Sequence, residues 1–176
     1  ILAFERIRRI EFLPDGRLLV TEKPGQLRVV TRDVKVGVAI SGVPKVFATG
    51  QGGLLDVLLA RDFGAKGGDI YLSYSEPRED GAAATAVARA RLTLDDTGGG
   101  ALTDVQTIFQ QQPAVASSGN HFGSRLVWAP DGSLFVTTGD RGSARPEVQK
   151  PDTTIGKVLN LKPDGSAANS QPAQPA

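Results

Sequence analysis

Apolar and polar positions alternate along this chain in short runs, and nearly every run is closed by a proline or glycine turn. Arg17 to Glu22 and Gln26 to Thr31 read as two strands joined by Lys23-Pro24-Gly25. Upstream, Glu11 to Leu13 leads into Pro14-Asp15-Gly16, a meander start, while residues 1–10 fit either a short helix or an irregular strand. Val34 to Ile40 is apolar, and Val43 to Phe47 reads as an edge-like run in which Pro44 argues against a central strand. Asp56 to Ala60 and Ile70 to Ser75 are strands, the latter with Tyr71 and Tyr74 on opposite faces. Thr85 to Leu94 puts Val87, Arg89, Arg91 and Thr93 on one face and alanines and leucines on the other. Alanine favours helix, but turn-flanked strand neighbours favour a strand here. Asp104 to Gln110 and Ile155 to Leu161 are also strand-like.

The densest stretch is residues 119–142. Strands over Ser124 to Ala129 and Ser133 to Thr138 flank Pro130-Asp131-Gly132, where proline presets one turn dihedral and glycine accepts a positive one. A hairpin places the residues before its first strand beside those after its second. Asn120, His121, Asp140 and Arg141 are therefore expected at one sheet end. The Pro-Asp-Gly turn recurs at 14–16, 130–132 and 163–165. With the evenly spaced short strands, it predicts an all-β fold of radially repeated four-stranded sheets. At roughly 40–50 residues per blade, the length supplies about three to four antiparallel blades of a β-propeller. The expected layout is a partial propeller domain over 1–166 and a flexible polar tail over 167–176, small and proline-bearing with little to bury.

Composition narrows the chemistry. There is no cysteine, which removes disulfides, thiolate nucleophiles and thiol-bound metals, and one histidine, which removes multi-histidine metal sites. Twenty Lys and Arg against nineteen Asp and Glu give no basic surplus for nucleic acid. No apolar run approaches the ~18–20 residues of a membrane helix. Residue 1 is isoleucine, so the chain reads as trimmed at its front.

His121 is the natural general base, since its ordinary pKa lies near neutrality; the bland alternative is a hydrogen-bonded structural histidine. Asn120 and Arg125 stand close enough in sequence to orient or charge-balance it. Arg141 is a candidate anion anchor, or else the partner of Asp140 or Glu147 in a salt bridge. Gln51 sits within Gly50-Gln51-Gly52-Gly53, a sharp bend or a close backbone approach. It could bond a planar polar ligand or be a surface turn residue. The scattered aspartates show no metal-binding spacing.

The blocks EFLPDGRLLVTEKPGQLRVV, GQGGLLDVLLARDF, IYLSYSE, TAVARARL, GNHFGSRLVWAPDGSLFVTTGDRG and IGKVLNLKPDGS resemble the soluble aldose sugar dehydrogenases of the quinoprotein glucose/sorbosone dehydrogenase-like family, in order from Glu11 to Ser166. The resemblance implies a six-bladed propeller that carries pyrroloquinoline quinone in a polar funnel. It implies oxidation of an aldose to a lactone, with His121 as base and Gln51, Asn120 and Arg141 at the cofactor. A small-molecule or protein electron acceptor and a periplasmic or secreted location are the accompanying expectations. Calcium is implied too, with ligands outside this chain, as are further quinone-clamping cations in later blades. The chain departs from the family where a proline-tryptophan pair usually precedes the first strand, reading Ile7-Arg8-Arg9. With about three to four blades and without the family's later blocks, it is expected to be the front part of a longer protein, with open sheet edges that invite self-association. A non-catalytic sugar-binding or structural propeller fragment is the alternative.

Overall fold

The computed structural model describes residues 4–168 except 96 and 117. Eleven strands form three antiparallel sheets, with only two single 3₁₀ turns, Glu79–Gly81 and Arg145–Glu147, as helical elements among the described residues. The first sheet is β1 (Ile7–Phe12), β2 (Leu18–Glu22), β3 (Gln26–Val30) and β4 (Val36–Ala39), in that order. The second is β5 (Leu54–Leu59), β6 (Gly67–Pro77), β7 (Ala83–Leu94) and β8 (Gly100–Gln110). The third is β9 (Gly123–Trp128), β10 (Leu134–Thr138) and β11 (Val158–Leu161). Three up-and-down sheets in sequence order are three propeller blades, the lower end of the expected range.

The first strands of the blades are neighbours: β1 packs against β5, and β5 against β9. They are the inner strands, and all three start at the same end. The second blade is sandwiched, which explains why β6 is buried on both faces. Ile70, Leu72 and Tyr74 face the first blade, against Leu19, Leu27 and Val29. Tyr71 faces the third, with Val87, Leu126, Leu134 and Val136. The two tyrosines lie on opposite faces as expected. β7 is a strand, not an alanine helix. Small Ala86, Ala88 and Ala90 let the first blade approach, and Arg89 and Arg91 on the other face pair with Asp69.

The three Pro-Asp-Gly turns share one geometry. In each, the aspartate Oδ1 accepts the backbone N–H two residues on: Arg17 to Asp15 at 3.0 Å, Ser133 to Asp131 at 2.9 Å and Ser166 to Asp164 at 2.9 Å. The third is followed by an antiparallel bridge between Leu161 and Ala167, and the Ala168 N–H donates to the Asn160 carbonyl. These two contacts hold Ala167 and Ala168 against β11, and the rest of the expected tail, 169–176, lies outside the described residues.

Of the ambiguous stretch 1–10, residues 7–10 take the strand alternative and pair with β2. Two other expectations need correction. Val43 to Phe47 is not a strand; the Phe47 N–H donates to the Ser75 carbonyl, and the segment crosses the end of the second blade. β8 starts at Gly100 rather than Asp104, because β7 pairs with it to its end at Leu94.

Candidate active site

The loops at the starting end of the inner strands are knitted by backbone contacts that only glycine permits. The Gln51 N–H donates to the Gly119 carbonyl at 2.6 Å. A Cβ on Gly50 would lie 2.5 Å from that same oxygen, so the glycine cluster marks a close backbone approach. A Cβ on Gly139 would fall 1.7 Å from the His121 carbonyl, which fixes how tightly the β10 exit passes the β9 entry. Buried hydroxyls complete the seam. Thr85 Oγ1 donates to the Phe122 carbonyl at 2.6 Å, and Ser73 Oγ to the Ser124 carbonyl at 2.6 Å.

His121 stands on this seam. Its backbone N–H donates to Gln51 Oε1 at 2.9 Å, and its Nδ1 lies 2.7 Å from Asp140 Oδ1. The Gly142 N–H donates to the same carboxylate oxygen at 2.8 Å. That backbone bond first, then His121, holds the Asp140 carboxyl below its ordinary pKa. An ionised Asp140 keeps the proton on Nδ1 and leaves Nε2 with its lone pair. The imidazole is exposed and lines a cleft of about 270 Å³ with Arg8, Gln51, Asp56 and Arg125. His121, Ser124 and Arg141 all have left-handed backbone, with φ of 50°, 91° and 57°. Such strain gathers where surrounding structure fixes a functional geometry.

Arg141 differs from both expectations. It forms no salt bridge with Asp140 or Glu147, because Asp140 turns to His121 and Arg145. It is fully buried and donates to three backbone carbonyls: Asn120 at 3.0 Å, Ala83 at 2.5 Å and Ser118 at 2.5 Å. Its guanidinium also lies 3.7 Å from the Phe122 ring centroid. Burial pulls its pKa down to about 10, so it remains a cation at neutral pH. Its fork secures the backbone behind His121 rather than reaching outward. Asn120 is exposed beside His121, with its carbonyl held by Arg141. The sequence end-to-end expectation thus holds for Asn120, His121, Asp140 and Arg141, and Gln51 joins them from the second blade.

Sequence reasoning missed the carboxylate at the back of the cleft. Asp56 is 3% exposed and accepts from the Leu126 N–H at 2.9 Å and the Val57 N–H at 3.0 Å. Arg125 approaches it at 3.2 Å and Arg9 at 3.3 Å. Burial raises the Asp56 pKa, with Leu126, Arg125 and Arg9 opposing. Arg125, expected to balance His121, pairs with Asp56 instead. Asp56 thus ties all three inner strands together. The only sequence signal was a charged residue inside an apolar strand, Leu54-Leu55-Asp56-Val57. Among the described residues, no group of three or more His, Cys, Asp or Glu could hold a metal ion. No described helix is long and apolar enough to cross a membrane.

His121 and Asp140 thus lie paired on the inner rim of a β-propeller segment, and comparison with known proteins identifies the family to which that segment belongs. The family model described as Glucose / Sorbosone dehydrogenase matches residues 4–175, and the chain belongs to that family. It is 44% identical over 164 residues to Aldose sugar dehydrogenase YliI of Escherichia coli (strain K12), covering 93% of this chain and 43% of that protein. The crystal structure of the soluble aldose sugar dehydrogenase from Escherichia coli in its apo form superposes with a TM-score of 0.86 at 42% identity, over 96% of this chain and 47% of that one. A crystal structure of a glucose dehydrogenase gives 0.87 at 42% identity, over 96% and 48%. The chain spans about half the length of these relatives or slightly less.

Proposed function

We propose that the chain carries the proton-abstracting part of a quinone-dependent aldose dehydrogenase that forms lactones. The observation that carries this reading is the 2.7 Å contact between His121 Nδ1 and Asp140 Oδ1 on the rim of an accessible cleft. The residues suit pyrroloquinoline quinone. The Gln51 and Asn120 amides at the rim, both on exposed residues, would hold its carbonyl and carboxylate oxygens. When bound, the quinone would supply the hydride acceptor for the anomeric carbon. His121 Nε2 would take the anomeric hydroxyl proton, so that loss of that proton and of the anomeric hydride turns the C–O bond into the lactone carbonyl. Asp140 keeps Nδ1 protonated and stabilises the imidazolium that forms. Gln51 and Arg141 hold the backbone on either side, so the ring needs no reorganisation. Arg141 therefore acts here through Asn120 and His121. Calcium, whose ligands are expected outside this chain, enters no step here; among the described residues no group of three or more His, Cys, Asp or Glu could hold a metal ion.

The natural acceptor, a small molecule or protein, and a periplasmic or secreted setting complete the proposal. Self-association also belongs to it. Phe12 on the first blade and Val127, Phe135 and Val158 on the third are exposed at the two ends of the arc, and solution mass against concentration measures their effect. The functional test is to titrate the protein with the quinone in the presence of calcium, add an aldose and follow quinone absorbance. Reduction should occur, and His121→Ala should keep cofactor binding and abolish it. A His121→Ala protein that reduces the quinone at the unmodified rate refutes the assignment.

A further inference from the structure

The cleft beside His121 holds two cations that the reaction above does not use. Arg8 is exposed at the start of β1, and its Nη2 donates only to the Gln51 carbonyl, at 2.9 Å. Among the described residues, no carboxylate pairs with it. Arg125 is exposed at the start of β9. Its Nη1 leans on Asp56 at 3.2 Å, its side chain is 53% exposed, and the rest of its fork is open. Asp56 neutralises this group only in part. Its carboxylate is already shared among two backbone N–H groups, Arg9 and Arg125. Arg9 is in turn engaged by Glu11 at 2.9 Å. The Asp140 carboxylate is committed to His121, Gly142 and Arg145. Two guanidinium groups with spare donors therefore flank the base, one from the first blade and one from the third, and the local carboxylates are spoken for.

A guanidinium fork matches a carboxylate in shape and charge. Within a concave site it reads that group selectively, because the field of several cations concentrates there. Resting on the dehydrogenase reading, we propose that Arg8 and Arg125 form a carboxylate-reading subsite and that the preferred substrates are aldoses bearing a carboxylate, uronic acids, over neutral aldoses. The anomeric carbon sits at His121 and the acid group at the far end of the sugar ring reaches the arginines. The cofactor is the other source of carboxylates, and the experiment separates the two.

Ligand-observed NMR titrations of the quinone-free protein with sodium D-glucuronate and with D-glucose read the subsite without turnover. Glucuronate should bind more tightly than glucose, and raising the salt should weaken only the former. Arg8→Gln and Arg125→Gln should each weaken glucuronate about 10-fold, the loss expected for one charged hydrogen bond, and leave glucose unchanged. Both arginines are exposed, so the variants should fold; the urea midpoint verifies it. A parallel absorbance titration with the quinone should show the variants binding it as the unmodified protein does. Equal binding of the two sugars, or glucuronate binding indifferent to both substitutions, overturns the proposal. So does quinone binding that falls while glucuronate binding does not, which assigns the arginines to the cofactor. His121→Ala should retain arginine-dependent glucuronate binding. If it does but no protein reduces the quinone, the subsite stands and the dehydrogenase reading falls.

Discussion

Replacing Arg141 with methionine keeps the side-chain volume and removes the guanidinium, which makes it a direct measure of what holds the base in place. Three carbonyls, that of Ala83 in a buried bond and those of Ser118 and Asn120 in part-buried ones, lose their donor. Bonds from a charged donor contribute about 1.5–3 kcal/mol each, so the three together are worth ~4–9 kcal/mol. The stacking of the guanidinium on Phe122 at 3.7 Å adds about 1–2 kcal/mol. Desolvation opposes both. The shift from 12.5 to about 10 corresponds to ~3 kcal/mol, at about 1.4 kcal/mol per pKa unit. Attraction wins, and the expected loss is about 4 kcal/mol. For a chain of this size that lowers the melting temperature by roughly 10 °C. Urea denaturation gives the free energy, and Arg141→Lys, with one compact ammonium in place of the fork, should recover less than half of the loss. A methionine variant within about 1 kcal/mol of the unmodified protein would show that the carbonyls find other donors. A fully stable lysine variant would show that the planar fork is not what matters.

Three further outcomes follow from the same geometry. Asp140→Asn should lower turnover by about 10²–10⁴, the usual scale of general-base assistance, because an amide does not fix the Nδ1 proton; steady-state kinetics measure it. Its carboxyl pKa is depressed in the fold, so the stability it contributes is present above the ordinary aspartate pKa of 3.8 and is lost as pH falls through the lowered value. Acid titration of Asp140→Asn should lack that part of the low-pH loss. Gly139→Ala should cost about 3 kcal/mol or more in urea denaturation, since its Cβ would lie 1.7 Å from a backbone oxygen that has no flexible end to yield. Asp56→Ala should cost about 3–5 kcal/mol by the same measurement, because it strands Arg9, Arg125 and the Leu126 N–H together.

The parts of the molecule legible in the sequence are those set by local chemistry. The 130–132 turn fixes the hairpin, and a hairpin necessarily returns Asp140 to the vicinity of His121. The alternation in 85–94 gives the right strand and the right faces, although alanine pulls toward helix, because the two faces meet two different blades. Val43 to Phe47 misled because its apolar residues pack against the second blade without a ladder partner. Arg141 misled for a related reason. A sequence shows an arginine beside an aspartate in a turn, but not that carbonyls from residues 83, 118 and 120 converge on it. Asp56 was passed over because its ligands, Arg9, Arg125 and the Leu126 N–H, come from strands far away in the chain.

That distribution of partners explains why the base is a property of the joined blades and not of the hairpin that bears it. The hairpin alone supplies Asp140 and the Gly139 passage. Gln51, which holds the His121 N–H, enters from the loop before β5, and the Ala83 carbonyl and Thr85 hydroxyl that brace Arg141 and Phe122 belong to β7. The Ala83 carbonyl and the Thr85 hydroxyl make buried hydrogen bonds, and each would be left unpaired if the second and third blades slid apart. The strained backbone at His121, Ser124 and Arg141 is affordable only while those bonds exist. Packing between blades and the position of the imidazole are therefore one equilibrium. Loosening the apolar layer of Tyr71, Val87, Leu126 and Val136 should free the base before it unfolds the sheets.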